Sequence, residues 1–181
     1  MIIQTERLLL RPMQAGDAQD FYEYAKNPNV GPNAGWKPHE SIEETKGLLE
    51  ELFIGSRSSW GITLKENRKL IGSIGLVDDA KRMNKGCRML GYSIGEHHWG
   101  RGITTEAARA VIRYGFEQMG LSIISVYVYP FNERSKRVIE KCGFQYEGRL
   151  RAAEEIYSGN IYDNICYSIT LDEYKKLSHT P

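Results

Sequence analysis

Apolar and polar positions along the chain fall into short strand-like runs and longer stretches of helical period. Residues 5–11, Thr-Glu-Arg-Leu-Leu-Leu-Arg, read as a strand that Pro12 ends. A helical segment is expected over Asp17–Lys26, with Phe21 and Tyr24 on one side and Asn27-Pro28 as its stop. From Val30 to His39 the placement of Gly31, Pro32, Gly35 and Pro38 marks an irregular loop. Ser41 and Glu44 have the spacing of a capping box. The helix they open carries Leu48, Leu49, Leu52 and Phe53 at helical spacing.

Strand patterns follow at Ser59–Leu64 and Leu70–Val77, joined as a hairpin by the polar turn Lys65–Lys69, and again at about Cys87–Ile94. The clearest helix runs from Thr105 to Met119, where Ala107, Ala108, Val111, Ile112, Phe116 and Met119 form one stripe. Gly115 shares that face, and Arg109, Arg113 and Glu117 lie opposite. Burying Val111, Ile112 and Phe116 is worth about 1.5–3 kcal/mol each before entropy is subtracted. Ile123–Val128 is a strong strand, and Asn132–Cys142 a short helix closed by Gly143 at C′. Two strands near Phe144–Leu150 and Asn164–Thr170 complete the pattern before a charged tail. The order β-α-α-β-β-β-α-β-α-β-β predicts a mixed α/β sheet with helices on both faces.

Composition narrows the picture without redirecting it. At 181 residues, with no repeat, low-complexity tract or linker, the chain reads as one domain spanning 1–181. The 24 Lys and Arg against 23 Asp and Glu leave a formal charge of +1, which argues against a dedicated nucleic-acid binder. Cys87, Cys142 and Cys166 are odd in number, far apart and form no CxxC pair, so neither a disulfide framework nor a zinc site is expected. Without a signal-peptide or membrane-length apolar run, the expectation is a cytoplasmic protein with no membrane partner.

The chemistry concentrates in Gly91-Tyr-Ser-Ile-Gly-Glu-His-His-Trp-Gly-Arg-Gly-Ile-Thr-Thr-Glu-Ala107, which runs strand, glycine-rich turn, helix. Free N–H groups and partial positive charge at a helix start attract phosphate oxygens, and Gly100 and Gly102 let the backbone approach an anion. A Gly-x-Gly before a helix is equally a plain tight turn. No Gly-Lys-Ser/Thr follows, which excludes a P-loop, and the spacing is not that of a Rossmann turn.

The segment Trp99-Gly-Arg-Gly-Ile-Thr104 resembles the pyrophosphate loop of the GNAT superfamily of N-acetyltransferases, Q/R-x-x-G-x-G/A, with Trp99 and Thr104 standing at its first and last positions. Asn132-Glu-Arg-Ser-Lys-Arg-Val-Ile-Glu-Lys-Cys-Gly-Phe144 is similar to the N-x-x-S…E-K-x-G-F of the RimJ/RimL-like branch. The opening TERLLLRP and Glu147-Gly-Arg-Leu-Arg-Ala-Ala-Glu154 are similar to that branch too, so the resemblance spans the chain in order.

That resemblance implies a mostly antiparallel sheet of about seven strands with a splay between two parallel central ones, here those ending near Ile94 and Val128. It implies acetyl-CoA as acetyl donor and an amine as acceptor. Backbone groups of Tyr92, Ser93 and Ile94 would pair with the pantetheine arm, and the Ile94 N–H would hold the developing oxyanion. Trp99, Gly100, Arg101, Gly102, Ile103, Thr104 and Thr105 would form the pyrophosphate site. Asn132 would bond the pantetheine region, and Arg101, Arg134, Arg137 and Lys141 are candidates for the adenosine-side phosphate. Each of those four charges also fits a solvated helix face.

Many relatives use a tyrosine seven positions after the asparagine as acid, but here that position is Ile139. Ser135 is then the acid the branch implies, and Glu154 the base, acting through a water. Glu155 and Glu96 are rivals for the base. The acceptor is read as a protein N-terminal α-amine, whose pKa near 7.7–8.0 asks less of a base than a lysine near 10.4. The alternatives are a small amine such as a polyamine, amino acid or antibiotic, and a non-catalytic acetyl-CoA-binding module. A monomer or homodimer is expected. His97-His98 lacks further ligands at metal spacing, so no metal is expected. Cys142 reads as a buried thiol, Trp36 as acceptor wall or packing, and Tyr157, Tyr162 and Tyr167 as strand residues.

Overall fold

The computed structural model describes residues 1–178. Within them the strands are β1 Ile3–Gln4, β2 Leu8–Arg11, β3 Ser59–Leu64, β4 Leu70–Val77, β5 Cys87–Ile94, β6 Ile123–Val128, β7 Gln145–Glu155 and β8 Ile161–Thr170. The helices are α1 Ala18–Ala25, α2 Ile42–Leu52, α3 Ile103–Glu117, α4 Glu133–Lys141 and α5 Leu171–Ser178. The strands form one eight-stranded sheet in the order β1-β2-β3-β4-β5-β6-β8-β7.

Every neighbouring pair is antiparallel except β5 and β6. That parallel pair is in register only from Cys87 to Met89, opposite Ile123 to Ser125. Beyond Met89 the two strands part, and the wedge between them is the splay the resemblance implies.

Alternation along the strands assigns the two faces. Leu90 and Ile94 of β5 and Ile124, Val126 and Val128 of β6 face α3, where they pack with Ala107, Ala108, Val111, Ile112 and Phe116. This stripe is the core that its period predicts. A second cluster of Met13, Phe21, Ala25, Leu49 and Leu70 lies under α1 and α2. Ser41 caps α2 by accepting the Glu44 N–H, as its spacing requires. Leu52, expected on the apolar side of that helix, is 55% exposed because the buried stripe runs through Thr45 and Leu49.

Several expected elements are revised. The first strand divides in two: Thr5 and Leu8 exchange hydrogen bonds across a tight turn, so Thr5–Arg7 connects β1 to β2. That adds one strand to the expected seven. α3 begins two residues early because Gly102, at φ +74, turns the chain directly into the helix. β7 continues through Glu155 and β8 starts at Ile161, closed by a turn in which Ile156 N–H donates to Asn160. Tyr157 therefore sits in a turn rather than a strand. β7 is an edge strand exposed along most of its length, so its sequence lacks the alternation that would announce it. The charged tail is helical over Leu171–Ser178, and its last three residues lie outside those described.

Candidate active site

The wedge between β5 and β6 opens into a cleft of about 920 Å³ running from the first turn of α3 to the far face of the sheet. The direction of the backbone groups along its β5 wall follows from the antiparallel ladder. Gly95 N–H donates to Ile71 of β4, so Gly95 faces β4 and its neighbour Ile94 faces the other way. By the same alternation Tyr92 also turns its N–H and C=O towards β6, in the region where β6 no longer pairs with it. Trp99 Nε1 takes the Ile94 carbonyl at 2.9 Å, leaving the Ile94 N–H facing the wedge.

At the mouth stands the glycine-rich turn. Gly100 and Gly102 both have φ +74, the left-handed region that glycine enters at least cost. No side chain caps α3, and the first intrahelical acceptor bond runs from Glu106 N–H to Gly102. The N–H groups of Ile103, Thr104 and Thr105 thus lack intrahelical partners at the positive end of the helix dipole. A Cβ built at Gly100 would meet nothing within 4 Å, so the loop's outer side is open for an anion. These features fit a diphosphate.

Trp99, Gly100, Gly102, Ile103, Thr104 and Thr105 all line the cleft, and Arg101 is the loop residue that does not. Arg134 lies 3.9 Å over the Trp99 ring, joining α4 to the loop across the wedge, and Arg137 and Lys141 line the same side. Asn132 caps α4 by accepting the Ser135 N–H at 3.1 Å and donates to the Asn33 carbonyl at 3.1 Å. One of its two amide N–H groups is therefore committed to the Gly31–Trp36 segment, and the other, with the remaining acceptor capacity on Oδ1, is left for a ligand.

Two polar pairs occupy opposite faces of the wedge. On the α3 and α4 side, the Tyr92 and Ser135 hydroxyls are 2.6 Å apart, and burial raises the Tyr92 pKa. On the other side, Tyr129 donates to Glu154 Oε1 at 2.8 Å and Asn164 Nδ2 to Glu154 Oε2 at 3.3 Å. Burial, then the Glu154 carboxylate, raises the Tyr129 pKa. Gly35, at φ +86, presses against this pair: a Cβ there would come within 2.6 Å of the Tyr129 hydroxyl and 3.1 Å of Glu154.

Glu155 is exposed on the neighbouring position of β7. Glu96 faces a separate groove, where hydrogen bonds from Asn29 and Asn27 hold its carboxyl below the usual range. Neither rival to Glu154 reaches the cleft. Trp36 and Phe53 do line it, whereas Tyr24 is buried among α1 and α2. Cys142 is buried and its thiol is pushed up to about 11 by that burial. Among the described residues no three His, Cys, Asp or Glu side chains gather as for a metal, and no helix is long and apolar enough to cross a membrane.

Sequence reasoning missed Tyr129, Asn164 and the Tyr92 hydroxyl. The available signal was the alternation in Val126-Tyr-Val-Tyr129, where the valines face the core and the tyrosines must face the cleft.

A sheet splayed at its parallel pair, with an uncapped helix start at the mouth of the splay, is the architecture of an acetyltransferase. A family model for the acetyltransferase (GNAT) domain matches residues 7–145. The uncharacterised N-acetyltransferase YoaA of Bacillus subtilis is 35% identical over 173 residues, 93% of this chain and 96% of the relative. The [ribosomal protein uS5]-alanine N-acetyltransferase of Escherichia coli is 27% identical over 159 residues, 81% of this chain and 79% of its own. A GNAT-family acetyltransferase structure from Bacillus anthracis superposes with a TM-score of 0.84 at 25% identity, covering 94% of this chain and 98% of that one. The chain belongs to the GNAT family and is an N-acetyltransferase. Its family takes acetyl-CoA as donor.

Proposed function

We propose that this enzyme transfers the acetyl group of acetyl-CoA directly to a protein N-terminal α-amine, with Ser135 as acid and Glu154 as base. The observation that carries the reading is the row of β5 N–H groups at Tyr92 and Ile94, facing a wedge that β6 leaves unpaired and that ends at the open start of α3. Acetyl-CoA, when bound, supplies a thioester carbonyl for the amine to attack.

The Ile94 N–H stabilises negative charge on an oxygen in the wedge. Ser135 lies on the donor side and passes its hydroxyl proton to the departing sulfur. Its 2.6 Å bond to Tyr92 keeps that hydroxyl oriented. Glu154 lies on the opposite face and takes a proton from the incoming amine, through a water. Its two hydrogen bonds, from Tyr129 and Asn164, hold it towards the cleft.

The charge of the cleft supports the α-amine acceptor. Glu154 is the one carboxylate among the described residues that line it, alongside Lys81, Arg134, Arg137 and Lys141. A polyamine would need several carboxylates, whereas an α-amine that is already partly neutral near pH 7 needs one base.

The test is thiol release from acetyl-CoA against N-terminal peptides, lysine peptides, polyamines and aminoglycosides, with CoA binding measured in parallel. Turnover is expected with N-terminal peptides. Ser135→Ala and Glu154→Gln are each expected to lower kcat by roughly 10²–10⁴ while leaving CoA affinity nearly unchanged. Turnover confined to another amine class would overturn the acceptor assignment, and unchanged turnover in both variants would overturn the acid and base.

A further inference from the structure

The glycine-rich turn carries two left-handed glycines, and Trp99 at its start is held by the Ile94 carbonyl and Arg134. A further restraint, on the Arg101–Gly102 peptide, comes from the other end of the chain. Arg7, in the turn between β1 and β2, donates from Nη1 to the Arg101 carbonyl at 3.0 Å. Its Nε donates to Glu106 Oε2 at 2.7 Å and its backbone N–H to Glu106 Oε1 at 2.9 Å. Thr5 adds a 2.6 Å bond to the same carboxylate oxygen. Arg7 is itself fixed in the sheet, because its carbonyl accepts the Lys65 N–H.

We propose that Arg7 is a positioning residue for the pyrophosphate loop. The inference rests on the donor reading given above. A trans peptide points its C=O and N–H in opposite directions. Anchoring the Arg101 carbonyl to Arg7 therefore turns the Gly102 N–H away from Arg7, towards the cleft that Gly102 lines. The guanidinium sits directly behind that glycine: Nη2 is the atom nearest to a Cβ built at Gly102, at 3.7 Å.

The second effect is electrostatic. Glu106 stands in the first turn of α3, next to the place where a diphosphate would sit, and its side chain is only 18% exposed. Arg7 pairs with it, so the helix start presents N–H dipoles to the ligand rather than a bare carboxylate. Arg7 touches no reacting atom and its contribution is confined to the diphosphate end of the cleft.

The experiment is calorimetric titration of the full-length protein with CoA, 3′-dephospho-CoA and pantetheine. The three ligands share the pantetheine arm, and only the first two carry the pyrophosphate. Arg7→Met is expected to weaken CoA and 3′-dephospho-CoA about tenfold each and to leave pantetheine unchanged. Arg7→Lys, which keeps the charge but loses the fork, is expected to recover part of that loss. Equal weakening of all three ligands would mean a general loosening of the fold and would overturn the proposal. So would unchanged affinity for CoA, or a loss confined to CoA, which would place the effect at the 3′-phosphate. Wild-type protein that binds none of the three would overturn the donor reading itself, whatever the variants do.

Discussion

Gly35 offers a sharp test of how the cleft is assembled. Alanine there meets two separate penalties. At φ +86 a residue with a Cβ pays roughly 1–2 kcal/mol for the left-handed backbone. The new methyl also lies 2.6 Å from the Tyr129 hydroxyl and 3.1 Å from Glu154 Oε1, so either the Gly31–Trp36 segment lifts or the Tyr129–Glu154 hydrogen bond breaks. A buried hydrogen bond to a carboxylate is worth about 1.5–3 kcal/mol. With some relief by loop movement, Gly35→Ala should cost about 2–4 kcal/mol, or roughly 2–4 °C of Tm per kcal/mol for a chain of this size.

The two penalties separate in a double-mutant cycle. Tyr129→Phe removes the oxygen, and the next contact of the methyl in that direction is the ring carbon at 3.7 Å, an ordinary distance. In that background Gly35→Ala should cost the backbone strain and what remains of the 3.1 Å contact with Glu154 Oε1, giving a coupling of about 1–2 kcal/mol between the two sites. Thermal or urea unfolding of the four proteins measures it. Turnover should fall in Gly35→Ala without a matching loss of CoA affinity, because the displaced groups face the acceptor side. Identical costs of Gly35→Ala in both backgrounds would refute the packing argument, and a stability equal to wild type would refute the strain as well.

Other consequences can be checked separately. Asp79 is buried, which raises a carboxyl pKa, but hydrogen bonds from Ser125, the Lys81 N–H and Tyr127, with Arg82 nearby, bring it below its usual 3.8. A depressed carboxyl stabilises the fold above its unfolded pKa and ceases to do so as pH falls through the folded value. Asp79→Asn should therefore lose stability at pH 7, with the gap to wild type closing below pH 3.8, as read by urea unfolding across pH. Gly102→Ala should weaken CoA binding, since φ +74 strains any side chain at that position; calorimetry that finds wild-type affinity would argue against the assigned turn. Burial raises the thiol pKa of Cys87, Cys142 and Cys166, so all three should react with a thiol reagent only slowly at pH 8 and fully in denaturant.

The elements with strong periodicity are legible in the sequence alone. β3, β4, β5 and β6 fall where the apolar runs lie, because buried central strands must be apolar on their own account. α3 is equally plain, since its stripe is the core. The glycine-rich turn is visible because Gly100 and Gly102 occupy a conformation that other residues avoid. Edge elements are not: β7 is exposed on both sides, so little in its residues marks its length or its register shifts.

The site itself needs the tertiary structure. Sequence places Ser135 in a helix and Glu154 near a strand, and a resemblance suggests their roles. Only the parting of β5 and β6 puts them on opposite faces of one wedge, with Tyr92 and Tyr129 as their partners. Arg7 and Glu106 are 99 residues apart, and nothing local to either residue announces the other. Local sequence determines what the nearby backbone prefers. Which distant groups meet is set by sheet order and strand register, which belong to the packed whole.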